Sequence, residues 1–473
     1  MRGFTGVVLV ALGFSAAQAR ADEYWSAPSG DWSNPANWSG SNVPQSTDYA
    51  NVNNSGTVDI TLPGAVCSNL GVWNGYVQMQ SGSLATTGQI SLSRDDSNDH
   101  GSFTQLGGTV SAAFLVMGGP WGSSGTYNLS GGQLNLSGMP NYIGQQCLGL
   151  GIGQNSSSPS TFAQSGGTAS VVGAIIVGGG WGASGAYNLT GGRMVAGTEA
   201  IGEDDQWGQG SSGTFTQSGG TNSAGSVVLG YFGGDSGTFN LNGGVLSLAT
   251  GPSLGGGSGT FNLGGGTLGA SAPWSSSLNM NPTGINGPGT VDTSGGDIGL
   301  SGALSGTGGL VKAGTGTLTL VGPNTYSGGT SITAGTIAAG AAGALSPYSD
   351  MNVIQGMLDA SGSAETVKSL TVGSGGLLTL GIGNVLTSSG TANLAGGLVL
   401  TGTAGSLPVE VLAYASESGK FATVTGLPAG DALRYGATEL DLVSATPEPT
   451  TVALLGAGAA GLLAYRRRRK RVR

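Results

Sequence analysis

The stretches that decide the fold are Ser102-Phe103-Thr104-Gln105-Leu106-Gly107-Gly108 and Thr126-Tyr127-Asn128-Leu129-Ser130-Gly131-Gly132. Each places an aromatic residue four positions before a glycine pair. Apolar and polar residues alternate before the pair, which is typical of a half-buried β-strand. The glycine pair favours a tight turn, because glycine adopts positive φ at little cost. Each stretch therefore predicts a short strand that ends at a sharp corner.

This motif recurs seven times, at Phe103, Tyr127, Phe162, Tyr187, Phe215, Phe239 and Phe261, with spacings of 24, 35, 25, 28, 24 and 22 residues. Copies with Phe followed by Thr/Ala-Gln alternate with copies reading aromatic-Asn-Leu, until the last copy breaks the alternation. A period of 22 to 25 residues suits one turn of a parallel β-helix. We predict an all-β solenoid of about 16 rungs, with the longer intervals carrying loops within 141–160 and 203–212.

In such a solenoid the seven aromatic residues would form an internal ladder with rings about 4.8 Å apart. Four asparagines would flank the ladder, namely Asn128, Asn188, Asn240 and Asn262. Aromatic and asparagine ladders stabilise stacked strands. The alternative is an exposed ligand-binding track, and we favour buried stacking.

Composition and charge limit the function classes. The chain has 473 residues with 95 glycines, but it lacks the Gly-X-Y period of collagen. Its 38% hydrophobic residues follow a regular pattern, which argues against disorder. Between Asp22 and Thr446 there are 23 acidic and 6 basic residues, a net charge of −17. We therefore expect no nucleic-acid binding, because nothing would offset phosphate repulsion.

The N-terminus predicts export. Met1-Arg2 precedes an apolar run over 6–17 and an Ala19-Arg20-Ala21 site, which together indicate a signal peptide over 1–21. Residues 22–49 form a segment rich in Trp, with Trp25, Trp32 and Trp38. These indoles either cap the open end of the solenoid or form a sugar-stacking platform, and we favour the cap. Glycine-rich solenoid repeats occupy 50–305.

A more specific pattern spans 306–337 and reads G-G-L-x-K-x-G-x-G-x-L-x-L-x-G-x-N-x-Y-x-G-G-T from Gly308 to Thr330. It closely resembles the autotransporter-associated β-strand repeat, also called the passenger-associated transport repeat. The resemblance implies a rung of a right-handed β-helix on an exported protein. We expect Lys312 to be a solvated corner residue rather than a catalytic base. Residues 338–445 continue the solenoid and end in a hairpin-rich cap.

The C-terminal segment 446–473 joins three features without a gap. Pro447, Glu448 and Pro449 precede an apolar stretch over 450–465, predicted as a helix of about 24 Å, slightly short for a ~30 Å hydrocarbon core. A basic tail over 466–473 follows and would stay cytoplasmic. Its charged residues flanking the helix are Arg466, Arg467, Arg468, Arg469, Lys470 and Arg471.

This order of features closely resembles the PEP-CTERM sorting signal of Gram-negative bacteria. The resemblance implies an exosortase, a membrane cysteine protease, as a partner that recognises the motif, removes the helix and releases the protein towards the cell surface. The inner membrane would then hold the chain only transiently. The alternative is a permanent single-pass anchor. Because about 109 residues between 337 and 446 are too few for an autotransporter barrel, we expect export to depend on this signal.

Enzymatic chemistry has few candidates. Parallel β-helices include polysaccharide-degrading enzymes, which need converging carboxylates, and two acidic clusters lie at Asp95-Asp96-Ser97-Asn98-Asp99-His100 and at 203–205. Asp95, Asp96 and Asp99 are also weak calcium candidates, but neither cluster follows a known calcium-loop pattern. We favour solvated turn acids, and predict no enzyme activity and no cofactor.

Two other sets of residues have open interpretations. Trp121, Trp181 and Trp207 each precede a rung aromatic and would line one edge, where they either stack on an extracellular polysaccharide or pack over the rung below. We favour packing. Cys67 and Cys147 would lie about three coils apart, roughly 14 Å, which exceeds the reach of a disulfide. We therefore predict free thiols.

Overall fold

The computed structural model describes residues 21–93, 99–119, 123–142, 146–154, 159–180, 182–203 and 210–445, with side chains described except at 139–149 and 154. The described chain is all-β and winds into a β-solenoid of about 16 turns. This confirms the predicted fold class. A single 3-10 turn, Pro35–Asn37, lies near the start of the described chain.

The first part of the solenoid contains nine short strands: β1 (Asp22–Tyr24), β2 (Ser29–Asp31), β3 (Tyr49–Val52), β4 (Thr57–Ile60), β5 (Ala65–Cys67), β6 (Asn69–Val72), β7 (Asn74–Met79), β8 (Ser83–Thr86) and β9 (Gln89–Leu92).

The middle part carries the repeated motif: β10 (His100–Gln105), β11 (Thr109–Ala112), β12 (Phe114–Met117), β13 (Ser124–Leu129), β14 (Gln133–Leu136), β15 (Met139–Tyr142), β16 (Gln146–Gln154), β17 (Ser160–Gln164), β18 (Thr168–Gly179), β19 (Ser184–Leu189), β20 (Arg193–Glu203), β21 (Ser212–Leu229), β22 (Ser236–Leu248), β23 (Ser253–Leu254), β24 (Ser258–Leu263) and β25 (Thr267–Ala270).

The last part has β26 (Trp274–Ser276), β27 (Met280–Pro282), β28 (Gly289–Asp292), β29 (Ile298–Leu300), β30 (Leu310–Ala313), β31 (Thr317–Leu320), β32 (Thr330–Ile332), β33 (Thr336–Ala339), β34 (Asp350–Ala360), β35 (Glu365–Val367), β36 (Ser369–Gly381), β37 (Leu386–Leu394), β38 (Gly397–Thr401), β39 (Val409–Gly419), β40 (Thr423–Thr425), β41 (Asp431–Tyr435) and β42 (Glu439–Ser444).

Each turn of the middle part adds one strand to each of three parallel sheets. Sheet 1 stacks β9, β12, β16 and the end of β18. Sheet 2 stacks β7, β10, β13, β17, β19, β21, β22 and β24. Sheet 3 stacks β8, β11, β14 and the start of β18. Apart from local shifts in β16, β18 and β21, the pairing is in register, so paired side chains stack on their equivalents in the next rung.

The predicted aromatic ladder is confirmed in sheet 2. All seven rings, from Phe103 to Phe261, are 0% exposed. Neighbouring ring centroids lie 4.9, 5.0, 4.7, 4.6, 4.8 and 5.2 Å apart, and every pair is stacked. The ladder forms because the repeat puts one aromatic residue at the same inward position of each rung. The alternative of an exposed aromatic track is therefore wrong.

The glycine pairs make the corner after sheet 2, as predicted, in six of the seven copies. There the second glycine of the pair has φ between 61° and 79°. At Gly132 an added Cβ would also lie 2.2 Å from the carbonyl oxygen of Gly108 in the previous rung. Both the backbone conformation and the close stacking of the corners therefore require glycine.

The two ends of the described solenoid differ from its middle. Trp25, Trp32 and Trp38 are 1–2% exposed and pack edge to face, with centroids 5.1 and 4.9 Å apart. Their burial rules out the sugar-stacking platform. At the other end β39 pairs antiparallel with β42, and β42 with β41. An antiparallel pair also forms in the first long interval, between β15 and β16.

Candidate functional site

The predicted sorting and signal residues lie mostly outside the described chain. Ala19, the motif Pro447, Glu448 and Pro449, and the basic tail belong to this group, as do Asp95, Asp96, Trp121, Trp181 and Trp207. Ala21 is described, and its backbone N–H donates to Asp48 Oδ1 at 3.4 Å. Within the described ranges, no helix is long and apolar enough to cross a membrane.

The backbone register places the described residues just before Trp121, Trp181 and Trp207. Gly118, Gly178 and Gly202 follow paired positions of sheet 1, and each has a positive φ of 71–82°. Trp121 and Trp181 come three residues after the first two of these glycines, and Trp207 five residues after the third. The described residues that precede the three tryptophan segments therefore lie at one edge of the solenoid.

Sequence reasoning missed two aromatic residues at the same edge. Gly230 follows the next paired position, and Tyr231 and Phe232 come directly after it. Their rings pack edge to face with centroids 4.8 Å apart, and both are partly exposed. The sequence signal was available, because the Leu-Gly before Tyr231 matches the Met-Gly before the Trp121 loop.

The structure separates Asp99 and Glu203, the described acids of the two acidic clusters. Asp99 precedes the rung of Phe103 along the chain, and Glu203 precedes the rung of Phe215, which lies four rungs further on. Four rungs correspond to about 19 Å along the axis. Glu203 is buried rather than solvated, so the prediction of a solvated turn acid is wrong for this residue.

Two buried carboxyl groups occur in this region. Glu199 lies in the inward column of Ile175 and Val227, is 0% exposed, and neither carboxyl oxygen has a hydrogen-bond partner. Burial raises the pKa of Glu199 to about 8, against the influence of the nearby Asn222 amide. Burial and the charge of Asp235 raise the pKa of Glu203 to about 7. Both carboxyl groups are therefore partly neutral near pH 7.

Asp235 holds the neighbouring turn together. Its Oδ1 accepts from the backbone N–H and the hydroxyl of Ser211 at 2.9 and 3.0 Å, and its Oδ2 accepts from the Phe232 N–H at 2.8 Å. Both Glu203 and Asp235 are 1% exposed, so a polymer substrate cannot reach this carboxyl pair. Among the described residues, no three His, Cys, Asp or Glu side chains gather to hold a metal ion.

Lys312 corrects a sequence prediction. It is 0% exposed and points into the solenoid, where Nζ donates to the carbonyl oxygens of Ala313, Gly314 and Ala334 at 2.8, 2.8 and 3.1 Å. Burial lowers its pKa to about 8, although Asp292 and Asp297 favour the charged form. The expectation of a solvated corner residue was wrong because the charge fills an internal cage of carbonyl groups.

Other polar residues of the same segment also join rungs from inside. Asn324 Oδ1 accepts from the Leu304 N–H at 2.7 Å, and its Nδ2 donates to the Ala344 carbonyl at 2.6 Å. The Tyr326 hydroxyl lies 2.6 Å from Thr330 Oγ1. These hydrogen bonds satisfy buried polar groups. The polar residues named here therefore stabilise the fold of this segment.

Cys67 is a free, buried cysteine, as predicted, and burial raises the pKa of its thiol. The side chain of Cys147 lies outside the described part. An inert, buried thiol of this kind acts as a small apolar core residue.

Two outward surfaces remain as binding candidates. The threonine–asparagine face is the outer side of sheet 2: Ser102, Thr104, Thr126, Asn128, Thr161, Ala163, Ala186, Asn188, Thr214, Thr216, Thr238, Asn240, Thr260 and Asn262. The second surface is a groove of about 590 Å³ at the sheet 3 corner, lined in part by Ser111, Asn135, Ser170 and Val172. Neither set contains a charged residue.

The fold and these surfaces define a parallel β-solenoid built from rungs of 19 to 35 residues. Residues 310–339 match the family model Passenger-associated-transport-repeat, and residues 445–469 match the PEP-CTERM protein-sorting motif. Both resemblances are confirmed. The two matches together indicate an exported surface protein.

One curated relative is the adhesin BmaC autotransporter of Brucella suis biovar 1 (strain 1330), 44% identical over 97 residues. The match covers 20% of this chain and 3% of that protein. The chain therefore spans only a small part of the relative's length. No solved structure matches the chain.

Proposed function

We propose that the protein is a non-enzymatic structural or adhesive solenoid that an exosortase-type protease processes and delivers to the cell surface. The observation that carries the proposal is the match to the PEP-CTERM protein-sorting motif at 445–469, directly after the antiparallel strands that end the solenoid. Signal peptidase would remove 1–21, the helix 450–465 would hold the chain in the inner membrane, and the protease would release it.

The solenoid supports a structural role through its internal bonding. The buried aromatic ladder and the internal Lys312 and Asn324 contacts join successive rungs. The matched relative is an adhesin. The match supports an adhesive role, but it covers only a short shared segment. A rod of stacked rungs presents a long surface for such contacts.

The alternative of a polysaccharide-degrading enzyme has less support. Asp99 and Glu203 lie on rungs about 19 Å apart, well beyond the separation of ~5 to 9.5 Å that glycosidase carboxylates use. Glu203 and Asp235 lie closer together but are buried. The second alternative is a permanently anchored protein. Removal of the C-terminal tail would distinguish the proposed processing from this alternative.

Mass spectrometry of the protein from its native host tests the proposal. We expect a mature chain that begins at Asp22 and ends near 447–449, without the basic tail. Replacing the motif by Pro447→Ala/Glu448→Ala/Pro449→Ala should leave the tail attached and the protein in the membrane fraction. The control Thr450→Ala/Thr451→Ala alters adjacent residues but keeps the motif. An intact tail on the wild-type surface protein would contradict the proposal and favour a permanent anchor.

A further inference from the structure

We propose that the threonine–asparagine face binds a neutral, extended polysaccharide that lies along the solenoid axis. The inference deepens the proposed adhesive role and rests on it for the choice of an extracellular partner. It depends on the shape of the face, on its solvent-facing hydroxyl groups and on its lack of charge.

The face is flat. In five of the six ring pairs beneath it, the planes of neighbouring rings differ by only 2–8°. Ordinary sheets twist by about 20–25° per strand, and flat sheets are usually held by stacking. The buried ladder therefore keeps successive rungs of the outer face parallel, and a straight polymer can follow it without bending.

The face has a regular chemical pattern. Its side chains form two ranks about 6.6 Å apart along each strand, and the rungs repeat every 4.6–5.2 Å along the axis. That rung spacing is close to the length of one sugar residue in an extended chain. Of the 14 outward side chains, 12 carry a hydroxyl or an amide group. Each sugar can therefore meet one rung of hydrogen-bonding groups.

The two ranks differ in their polar groups: one contains hydrogen-bonded asparagine amides, and the other presents threonine hydroxyls. In the asparagine rank, Asn281 donates to Asn262 at 3.0 Å, Asn262 to Asn240 at 2.8 Å, and Asn240 to Thr216 at 3.3 Å. These bonds fix the amides in one orientation. The threonine rank faces solvent, because Thr161 is partly exposed and Thr214 is exposed. Oriented amides beside solvent-facing hydroxyls provide a preorganised polar surface.

The charge and size of the face select the class of partner. None of the 14 residues is charged, so an anionic polymer would find no cation and calcium no carboxylate. The face is about 29 Å long and roughly 10 Å wide, so a second copy would bury only about 600 Å² in total, below the ~1,200 Å² of stable interfaces. The face also lacks the apolar centre of protein interfaces. Of the partners considered, a neutral polysaccharide fits the face best.

A binding assay with the purified full chain tests the proposal. The probes are microcrystalline cellulose and chitin as neutral polymers, and alginate as an acidic one. We expect depletion of the protein from solution by a neutral polymer, little change between low and high salt because no charges take part, and no binding to alginate. Binding to alginate alone, or to none of the three, would overturn the proposal.

A matched pair of double variants locates the site. Thr161→Glu/Thr214→Glu places charges on the face two rungs apart, and Ser170→Glu/Ser223→Glu places them at the same rungs on sheet 3. We expect at least about a tenfold loss of affinity for the first variant only, because bound sugar would desolvate the carboxylates. Loss in the second variant alone would assign binding to the groove and overturn the proposal.

Two further readouts separate the possible failures. Circular dichroism confirms that both variants fold. A wild-type dimer in analytical ultracentrifugation that Thr161→Glu/Thr214→Glu abolishes would assign the face to a second copy instead. Correct removal of the tail without polysaccharide binding would disprove the face proposal alone, whereas failed processing with intact binding would disprove the sorting proposal alone.

Discussion

At the scale of single residues, the alternation of Phe and Tyr in the ladder has a defined role. The Tyr127 hydroxyl donates to Gln105 Oε1 at 2.7 Å, and Tyr187 makes the same bond to Gln164 at 2.5 Å. The glutamine of one rung therefore meets the tyrosine of the next. Gln217 is the third such glutamine. The next rung has Phe239 in place of a tyrosine, and Gln217 Oε1 is buried without a partner.

Phe239→Tyr should therefore stabilise the protein. The new hydroxyl would meet Gln217 Oε1 in the geometry already used by Tyr127, since the ring pairs have centroids 4.8 and 4.9 Å apart and both are tilted by 4°. We expect a gain of about 0.5–1.5 kcal/mol in the free energy of unfolding, measured by thermal or denaturant unfolding.

Phe261→Tyr is the matched control for this substitution. In the preceding rung the equivalent of Gln217 is Leu241, which offers no acceptor. The added hydroxyl would be buried without a partner and should destabilise the protein by about 1–3 kcal/mol. Equal effects of the two substitutions would disprove the pairing rule.

The second residue-scale prediction concerns pH. Glu199 has a folded pKa of about 8, above the ordinary value of 4.5, so the folded state binds more protons between these limits. Its contribution to stability is complete below about pH 4.5 and is lost as the pH rises through 8. Glu203 acts in the same direction, and its pKa is about 7.

Glu199→Gln should flatten this pH profile, because glutamine does not titrate. We expect the midpoint of thermal unfolding to fall less between pH 5 and 8 than in the parent, where one such group adds a slope of up to about 1.4 kcal/mol per pH unit. Glu410→Gln, at an exposed position, should keep the parental profile. An unchanged profile in Glu199→Gln would show that Glu199 does not titrate in this range.

At the scale of elements, buried polar side chains of the segment 310–339 form hydrogen bonds between neighbouring rungs. Lys312 in β30 donates to the carbonyl groups of Ala313 and Gly314 at the end of its own strand, and to Ala334, which lies one rung further on before β33. Thr330 in β32 links Tyr326 to Ser349 Oγ, at 2.6 and 2.9 Å. The polar residues of this segment are therefore explained by internal bonding between neighbouring strands.

Lys312→Met should destabilise this part of the solenoid. The Gly314 and Ala334 carbonyls would lose the donor that satisfies them in the interior, which costs about 2–4 kcal/mol in the free energy of unfolding. The control is Lys368→Met, since Lys368 pairs with Asp350 at 3.0 Å on the surface and is 58% exposed. Its loss should cost less than about 1 kcal/mol. Similar losses for both lysines in denaturant unfolding would contradict the internal role.

At the scale of the whole molecule, a β-solenoid in an acidic chain is combined with a protein-sorting motif. The stacked aromatic ladder holds the middle of the rod flat, and the nearly uncharged stretch over 100–198 contains Arg193 as its one Lys, Arg, Asp or Glu residue. The processing and polysaccharide experiments above belong to this scale. These experiments test whether the protein reaches the cell surface and what the threonine–asparagine face binds there.

Several structural features could have been predicted from strand alternation alone. Lys312 lies two positions after the buried Leu310, and Glu199 two positions before the buried Ile201, so both face inward by parity. The charge of Lys312 instead favours solvent exposure, which is why the residue was expected at a solvated corner. The partly exposed aromatic pair Tyr231 and Phe232 was likewise detectable by aligning the rungs.

The sequence by itself determined the solenoid, its ladder of seven aromatic residues and its sorting motif, because each depends on a period or a local order of residues. Only the tertiary structure decided which groups meet between rungs. The Ala334 carbonyl that accepts from Lys312, the Phe239 ring that leaves Gln217 Oε1 without a partner and the flatness of the outer face all follow from stacking in register. Those contacts join residues about 20 to 30 positions apart, and the lengths of the intervening turns set their register.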